Sequence, residues 1–476
     1  MTRIFLALAL ACPVISAAAA AAAPHDTCGN SGNSGNHQNK APSTDDDLWS
    51  FIKEKIKTVV VIVEENRSFD HMVGQFDYSP EIQGIAHMEF CNPLNLSDPN
   101  SPQVCSKPIA MNVQPDNPEY GTTDDMYSIF GTFAPTPEEM KTPKMNGFVS
   151  RQNLAYGGGE NVAREAIDGF SIDHVPIQYT LAKDNALVDE WYAAGPITTK
   201  PNRAFLVSGT SLGHGSNDNS FFTYTNQVKG FNNTSMFEVM SKNNITWNHY
   251  YWGEESDAMY YYWVQTNANE RMIHGSQFFA DAENGNLPQF VYLYPECCSY
   301  DSFHPPSPID RGEEFLRQVY NALRSSPQWD EILFVVTYDE HGGFADHMPI
   351  KPAPPPDNYT YTSTAVNGQN FTYNFDTTGV RVPTYLISPW IQSQQVIHNG
   401  VQPEPDSVLT HTSILAFLAK LWDLPELVLT RRVEWSSTFE NVFAAKKYEN
   451  KVPYIPAQSY DWGNVKDFWS TYTGPW

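Results

Sequence analysis

Residues 332–347 read Ile-Leu-Phe-Val-Val-Thr-Tyr-Asp-Glu-His-Gly-Gly-Phe-Ala-Asp-His. The stretch Ile332–Thr337 is a run of aliphatic, aromatic and β-branched residues without polar alternation, the pattern of a strand covered on both faces. From Asp339 onward the chain turns acidic and glycine-rich, so the strand ends where the polar residues begin. Three other stretches share this character: Thr58–Val63, Phe290–Tyr294 and Val382–Ile387. Between them lie helical patterns. GEEFLRQVYNALRS (312–325) and SVLTHTSILAFLAKLW (407–422) carry apolar residues at spacings of three and four. Buried strands alternating with amphipathic helices predict an α/β sandwich with a mainly parallel central sheet. Pro/Asn/Tyr-rich stretches near 92–125 and 350–375 break the pattern and are expected as loop insertions over the sheet. There is no internal repeat.

The chain has 476 residues, and 29 Lys and Arg against 54 Asp and Glu give a formal charge of −25. Such a field repels polyanions, which argues against general affinity for nucleic acid or an anionic membrane and confines any phosphate chemistry to a local site. Arg3, the apolar run Ile4–Ala11 and an alanine-rich stretch to Ala23 have the layout of a secretory signal peptide over residues 1–23, so a secreted, extracellular protein is expected. Pro13 and the shortness of the apolar run argue against a spanning helix. Residues 24–47 read as a flexible leader, 48–450 as one large domain and 451–476 as an aromatic, Pro-rich tail that wraps the domain or begins an appendage. Of the five cysteines left after the signal, Cys91 and Cys105 enclose a Pro/Asn/Ser-rich loop and are the expected disulfide, while Cys28, Cys297 and Cys298 stay unassigned. Glycosylation sequons stand at Asn95, Asn232, Asn233, Asn244, Asn358 and Asn370.

In open α/β sheets, ligands bind beyond the carboxyl ends of the strands. Two strands here end in unusually polar turns: Glu64-Glu65-Asn66-Arg67-Ser68-Phe69-Asp70-His71 after VVVIV, and Asp339 to His347 after ILFVVTY. Hard oxygen and imidazole donors from separate strand ends suit a divalent cation. A single acidic turn more often caps a helix, but carboxylates crowded at two buried strand ends repel one another unless a cation or protons intervene. A third segment, Gly195-Pro196-Ile197-Thr198-Thr199-Lys200-Pro201-Asn202-Arg203, supplies hydroxyls and a forked guanidinium. A hydroxyl beside cations can attack phosphorus, and an arginine fork can grip phosphate oxygens. Taken alone, Thr-x-Pro-Asn is an ordinary turn.

EENRSFDH (64–71), TKPNR (199–203), HPP (304–306) with the following stretch through TYDEHGGFADH to 347, and GVRVPTYLISPW (379–390) together span most of residues 55–440. In that order they resemble the phosphoesterase family of bacterial and plant non-specific phospholipases C and related acid phosphatases, within the alkaline-phosphatase-like superfamily. The resemblance implies an alkaline-phosphatase-like α/β/α sandwich with a divalent metal ion of open identity. By position it implies Glu65 and Asn66 as one metal-binding pair, Asp339 and Glu340 as the second, and Thr199 as the nucleophile that is Ser or Thr in relatives. His304 matches the family's His-Pro motif, near the leaving oxygen. Relatives often carry Asp just before that His; here Phe303 stands there, and Asp301 is the candidate substitute. His341, Lys200 and Arg203 are implied around the phosphate, and Asp346, His347 and His411 stand where broader superfamily members carry additional ligands. A seventh sequon, at Asn66, is set aside because that residue would face the metal. Asp70 and His71 are expected to shape the first loop, and His174 and Asp189 to be scaffold.

The resemblance implies hydrolysis of glycerophospholipids to diacylglycerol and a phosphorylated headgroup through a covalent phosphothreonine. The alternative is a secreted acid phosphatase acting on soluble monoesters. A lipid substrate brings transient contact with a membrane surface and needs an apolar rim; Tyr250-Tyr251-Trp252 and Met259–Trp263 could furnish one or could be core packing. A binding protein that kept the fold and lost turnover is disfavoured, because every liganding side chain and the Thr199 hydroxyl are retained. Headgroup preference and oligomeric state are not encoded legibly.

Overall fold

A computed structural model describes residues 45–217, 230–253, 256–295, 302–449, 451–460 and 462. The signal peptide, most of the leader, Cys297, Cys298, Asp301 and the tail beyond Trp462 lie outside them. Among the described residues no helix is long and apolar enough to cross a membrane.

Eight strands form the central sheet: β1 (Thr58–Glu64), β2 (Ala186–Val188), β3 (Trp247–Tyr251), β4 (Met272–His274), β5 (Phe290–Tyr294), β6 (Ile332–Tyr338), β7 (Thr384–Ile387) and β8 (Gln395–Ile397). Their spatial order is β8-β2-β7-β6-β1-β5-β3-β4. The four stretches legible in the sequence are the four adjacent central strands, β7, β6, β1 and β5, and every residue of each is buried. That follows from physics, since only a strand covered on both faces must be apolar at consecutive positions. The outer strands are short or mix polar with aromatic residues, as in Trp247-Asn248-His249-Tyr250-Tyr251, and carry no such signal. All pairings are parallel except those of β7, which runs against both β6 and β2.

Five helices matter for the site: α1 (Asp45–Lys55), α2 (Thr122–Phe130), α3 (Thr199–Ser208), α4 (Ile309–Ser325) and α5 (Thr412–Leu421). The leader is shorter than expected. Asp45, Asp46 and Asp47 form the first turn of α1, whose last turn carries Lys53 and Lys55, a charge order that complements the helix dipole. α4 buries Phe315, Leu316, Val319, Tyr320 and Leu323 on one stripe. The first residues of the tail lie against α4: Tyr320 and Arg317 donate to the carbonyls of Val452 and Ile455, and Asn321 exchanges two hydrogen bonds with Ile455. Cys91 and Cys105 are joined by a disulfide across a small hairpin in the first insertion. The second insertion contains another hairpin, Tyr361–Thr364 with Asn370–Tyr373.

Candidate active site

β1 and β6 are parallel neighbours with Glu64 opposite Tyr338, so Glu65 and Asp339 leave the sheet at the same level. Two main-chain hydrogen bonds join the turns, Asp339 N to Glu64 O at 3.0 Å and Arg67 N to Glu340 O at 3.0 Å. Asn66 adopts φ 68°, a left-handed conformation that asparagine tolerates better than most residues. There its main-chain N–H donates to Asp339 Oδ1 at 3.0 Å and its Nδ2 to Glu340 Oε1 at 2.8 Å. Gly342, at φ 63°, closes the turn; a Cβ there would lie 2.3 Å from Asn66 O.

Glu65, Asp339 and Glu340 are buried and can each offer an oxygen within 4.8 Å of the others. Burial pushes all three carboxyls up; repulsion from Glu65 raises Asp339 further, to about 7, and repulsion from Asp339 raises Glu340, while Arg203 works against the rise at Glu65 and Asp339. Glu65 Oε2 and Asn66 Oδ1 are buried without a hydrogen-bond partner. Orphaned hard oxygens within a crowd of like charges fit a divalent cation of the magnesium, calcium or manganese kind. Glu65, Asn66, Asp339 and Glu340 are therefore the residues that could hold it.

A pH dependence follows. Carboxyls with raised values keep protons that a cation must displace. Affinity of demetallated protein for a divalent ion is expected to strengthen as pH rises towards about 7, with protons released on binding. By the same sign, the metal-free protein loses stability over that rise, because burying charge becomes costlier as these groups ionise. Calorimetric titrations in buffers of different ionisation enthalpy check this; binding with no proton release at pH 6, roughly one unit below the Asp339 value, would contradict it.

Thr199 is the first residue of α3 and only 7% exposed. Asn202 ties down the turn before it, accepting from Gly195 N at 3.1 Å and donating to Ile197 O at 2.7 Å. Arg203 lies four positions on, on the same helix face, and donates to Glu65 Oε1 at 2.8 Å and Asp339 Oδ2 at 3.0 Å. Helix α3 thus carries both Thr199, at its first position, and the arginine that pairs with Glu65 and Asp339. The Tyr120 hydroxyl, 3.4 Å from Thr199 Oγ1, lies within the electrostatic reach of Glu340, Glu65 and Asp339.

Several expectations need correction. Arg203 does not present a free fork to a phosphate: it is 1% exposed, and besides Glu65 and Asp339 it meets Asp257 Oδ2 at 3.4 Å. Burial alone would lower its pKa, but the three carboxylates outweigh that and hold it charged. It is the counter-cation beneath the site. His411 is no metal ligand. Its Nδ1 accepts from Trp191 Nε1 at 3.3 Å and its Nε2 sits 2.6 Å from the Asp339 carbonyl, so both nitrogens are committed to holding Asp339 in place. Asp346 and His347 belong to a separate buried ionic cluster with Asp70 and Arg381. Arg381 donates to both carboxylates at 3.0–3.1 Å, and His347 Nδ1 is 2.7 Å from Asp70 Oδ2. The donor atoms of Asp70, Asp346 and His347 lie within 4.8 Å of one another, a second grouping that could hold a metal ion, and Arg381 already pairs with both of its carboxylates. The cluster ties the EENRSFDH loop to the DEHGGFADH loop.

His341 faces Asp125, its Nε2 3.4 Å from Oδ1, and burial pulls its pKa down to about 3. A neutral ring brings no positive charge to phosphoryl oxygens. His304 Nδ1 is 2.5 Å from the Pro305 carbonyl, which can only accept, so that nitrogen carries the proton and Nε2 presents a lone pair. Burial lowers its pKa, which favours the neutral ring. Lys200 Nζ lies 5.4 Å above the Tyr260 ring. His71 is buried and stacked on Phe344, His174 stacks on Trp462, and Asp189 accepts from Gln83 and pairs with His398. Asn66, in the seventh sequon, is wholly buried.

Three residues of this site escape a reading of the sequence. Tyr120 sits in a loop whose composition marks only irregular structure, and Asp257 hides among aromatics. Arg67 donates to Phe303 O at 2.7 Å and so supports the His304 loop; its place within EENRSFDH was the one available signal.

Parallel strand ends that gather three buried carboxylates and an asparagine oxygen, next to a helix that begins with Thr199, are what a metal-assisted hydrolase of phosphoric esters on an α/β sheet requires. The sequence profile of the Phosphoesterase family matches residues 56–425, and the chain belongs to that family. It is 35% identical over 436 residues to non-specific phospholipase C1 of Arabidopsis thaliana, covering 87% of this chain and 77% of that one. Identity to non-specific phospholipase C3 of the same plant is 36% over 399 residues, covering 81% and 73%. Non-hemolytic phospholipase C of Burkholderia pseudomallei is 24% identical, covering 76% and 54%. Among solved structures, a protein in the alkaline phosphatase superfamily from Vibrio parahaemolyticus aligns with a TM-score of 0.32 and 10% identity, covering 56% and 64%. The α/β assignment rests on the sheet itself.

Proposed function

We propose that the protein is a secreted phospholipase C-type phosphoesterase that cleaves glycerophospholipids to diacylglycerol and a phosphorylated headgroup through a phosphothreonine on Thr199, meeting its substrate transiently at a membrane surface. The observation that supports the reading is the pair of links between α3 and the carboxylates: the Tyr120 hydroxyl, 3.4 Å from Thr199 Oγ1, lies within electrostatic reach of Glu340, Glu65 and Asp339, and Arg203, four residues after Thr199, bonds Glu65 and Asp339. A divalent cation held by Glu65, Asn66, Asp339 and Glu340 would offset phosphate charge and favour ionisation of a nearby hydroxyl. Thr199 Oγ1 attacks phosphorus, the diacylglycerol oxygen departs with the bonding pair, and the headgroup phosphate remains on Thr199 until water replaces it. The N-terminus of α3 places the positive end of its dipole at the reacting group. His304, with Nε2 as an acceptor and within electrostatic reach of Asp339, takes the proton of Thr199 and passes it to the departing diacylglycerol oxygen in the first half. In the second half it takes a proton from the attacking water and gives it to Thr199 Oγ1.

The lipid part of this reading is supported by the relatives' activities. The aromatic stretches do not add to it: Trp252 packs against Phe278, Phe279 and Phe315, and Tyr250, Tyr260 and Tyr261 are buried. Product analysis on phosphatidylcholine vesicles and on a chromogenic phosphate monoester, before and after chelation, tests it. Diacylglycerol and phosphocholine are expected, with chelation abolishing both. Turnover of the monoester alone would establish the acid phosphatase alternative, and phosphatidic acid as product would overturn the mechanism.

A further inference from the structure

The chain from Pro118 to Gly121 is threaded between the two turns that build the site. On one side is Gly343 of the DEHGG turn, at φ 71°, where a Cβ would lie 2.7 Å from Glu119 O and 2.8 Å from Pro118 Cβ. On the other is Thr198, whose Cγ2 would be 3.2 Å from a Cβ at Gly121. Gly121, at φ 113°, donates its N–H to Asp125 Oδ1 at 3.2 Å, fixing the segment to the first turn of α2. These constraints hold the half-buried Tyr120 with its hydroxyl 3.4 Å from Thr199 Oγ1. Burial first, then the charges of Glu340, Glu65 and Asp339, keep the phenol protonated; the hydrogen bond to Thr199 opposes them only in part. Tyr120 is therefore a neutral hydroxyl donor within hydrogen-bond reach of Thr199 Oγ1.

We infer that Tyr120 is a further catalytic residue, which donates its O–H to Thr199 Oγ1 while the Oγ1–phosphorus bond breaks in the second half of the reaction. The inference rests on the phosphothreonine reading. In that half, water oxygen bonds to phosphorus, the Oγ1–phosphorus pair returns to Oγ1, and the proton lost by water restores the threonine hydroxyl. Tyr120 keeps its own proton and stabilises the charge developing on Oγ1. In the first half the same oxygen is the nucleophile, and a donor to it offers no comparable gain. The two halves should thus respond differently to its loss.

The test is Tyr120→Phe on the full chain loaded with divalent metal, followed on phosphatidylcholine by rapid quench and intact-protein mass spectrometry. Steady-state turnover should fall about 10²- to 10³-fold, the usual effect of losing one donor to a developing oxyanion. Diacylglycerol release in the first turnover should fall far less, so a stoichiometric burst appears and the phosphorylated headgroup accumulates on Thr199. The ratio of burst rate to steady-state rate does not depend on how much protein is folded, so partial unfolding cannot imitate the result. Unchanged turnover, or equal slowing of both phases with no covalent adduct, would overturn the role of Tyr120. Thr199→Ala, run alongside, separates the two failures: turnover surviving in it sinks the phosphothreonine reading, whereas its loss with an unaffected Tyr120→Phe sinks only the inference about Tyr120.

Discussion

Thr199→Ala is expected to lower turnover by about 10⁴-fold or more on any phosphate ester the protein accepts, the scale seen when a hydrolase loses its nucleophile. The residue is 7% exposed at the first position of α3, so deleting its hydroxyl and one methyl costs about 1 kcal/mol and should lower the thermal midpoint of a domain this large only slightly. Binding of the divalent cation should persist, because Glu65, Asn66, Asp339 and Glu340 remain. Thr199→Ser retains the hydroxyl and should recover most of the rate. The decisive comparison is kcat for the three proteins on one ester, with metal content measured in each. An alanine variant within tenfold of the parent would show that some other group attacks phosphorus.

The second large effect concerns stability. Arg203→Met keeps the bulk of the side chain but removes the cation shared by Glu65, Asp339 and Asp257. Breaking a buried ionic group by deleting one partner typically costs about 3–5 kcal/mol, since the remaining charges stay buried without compensation. Bound divalent metal should recover part of this loss by supplying charge to Glu65 and Asp339. Asp257, whose second oxygen already lacks a hydrogen-bond partner, gains nothing from that cation. Urea unfolding of parent and variant, with and without chelator, reads both quantities. Equal midpoints would mean that the carboxylates are protonated and the guanidinium is not their counter-charge.

The contrast between these variants reflects how differently their positions were legible. Thr199 stood out through the family resemblance, which matches it to the nucleophile; taken alone, its Thr-Lys-Pro-Asn-Arg turn is an ordinary one. Arg203 stood out too, but for the wrong reason. A forked cation near a candidate phosphate suggests a clamp, and sequence spacing cannot show that carboxylates from β1, from β6 and from the segment holding Asp257 reach it first. His411 is a related case: the resemblance places it where broader superfamily members carry a ligand, and only the fold shows Trp191 and the Asp339 carbonyl against its two nitrogens. Tyr120 gave no signal at all, since nothing local marks the close approach that brings a loop residue to a hydroxyl 79 positions away.

Taken by itself, the order of residues determined the four central strands, the α/β layering, the polar strand ends and the disulfide loop. Each depends on local composition: a strand buried on both faces must be apolar throughout, and a turn must supply polar or glycine residues where it leaves the sheet. Only the tertiary structure decided that β7 runs against its neighbours, that the first residues of the tail lie against α4, and which charged groups face one another. Pairings of this kind form between residues far apart along the chain, and which partner a buried charge takes depends on geometry and desolvation that no local pattern encodes.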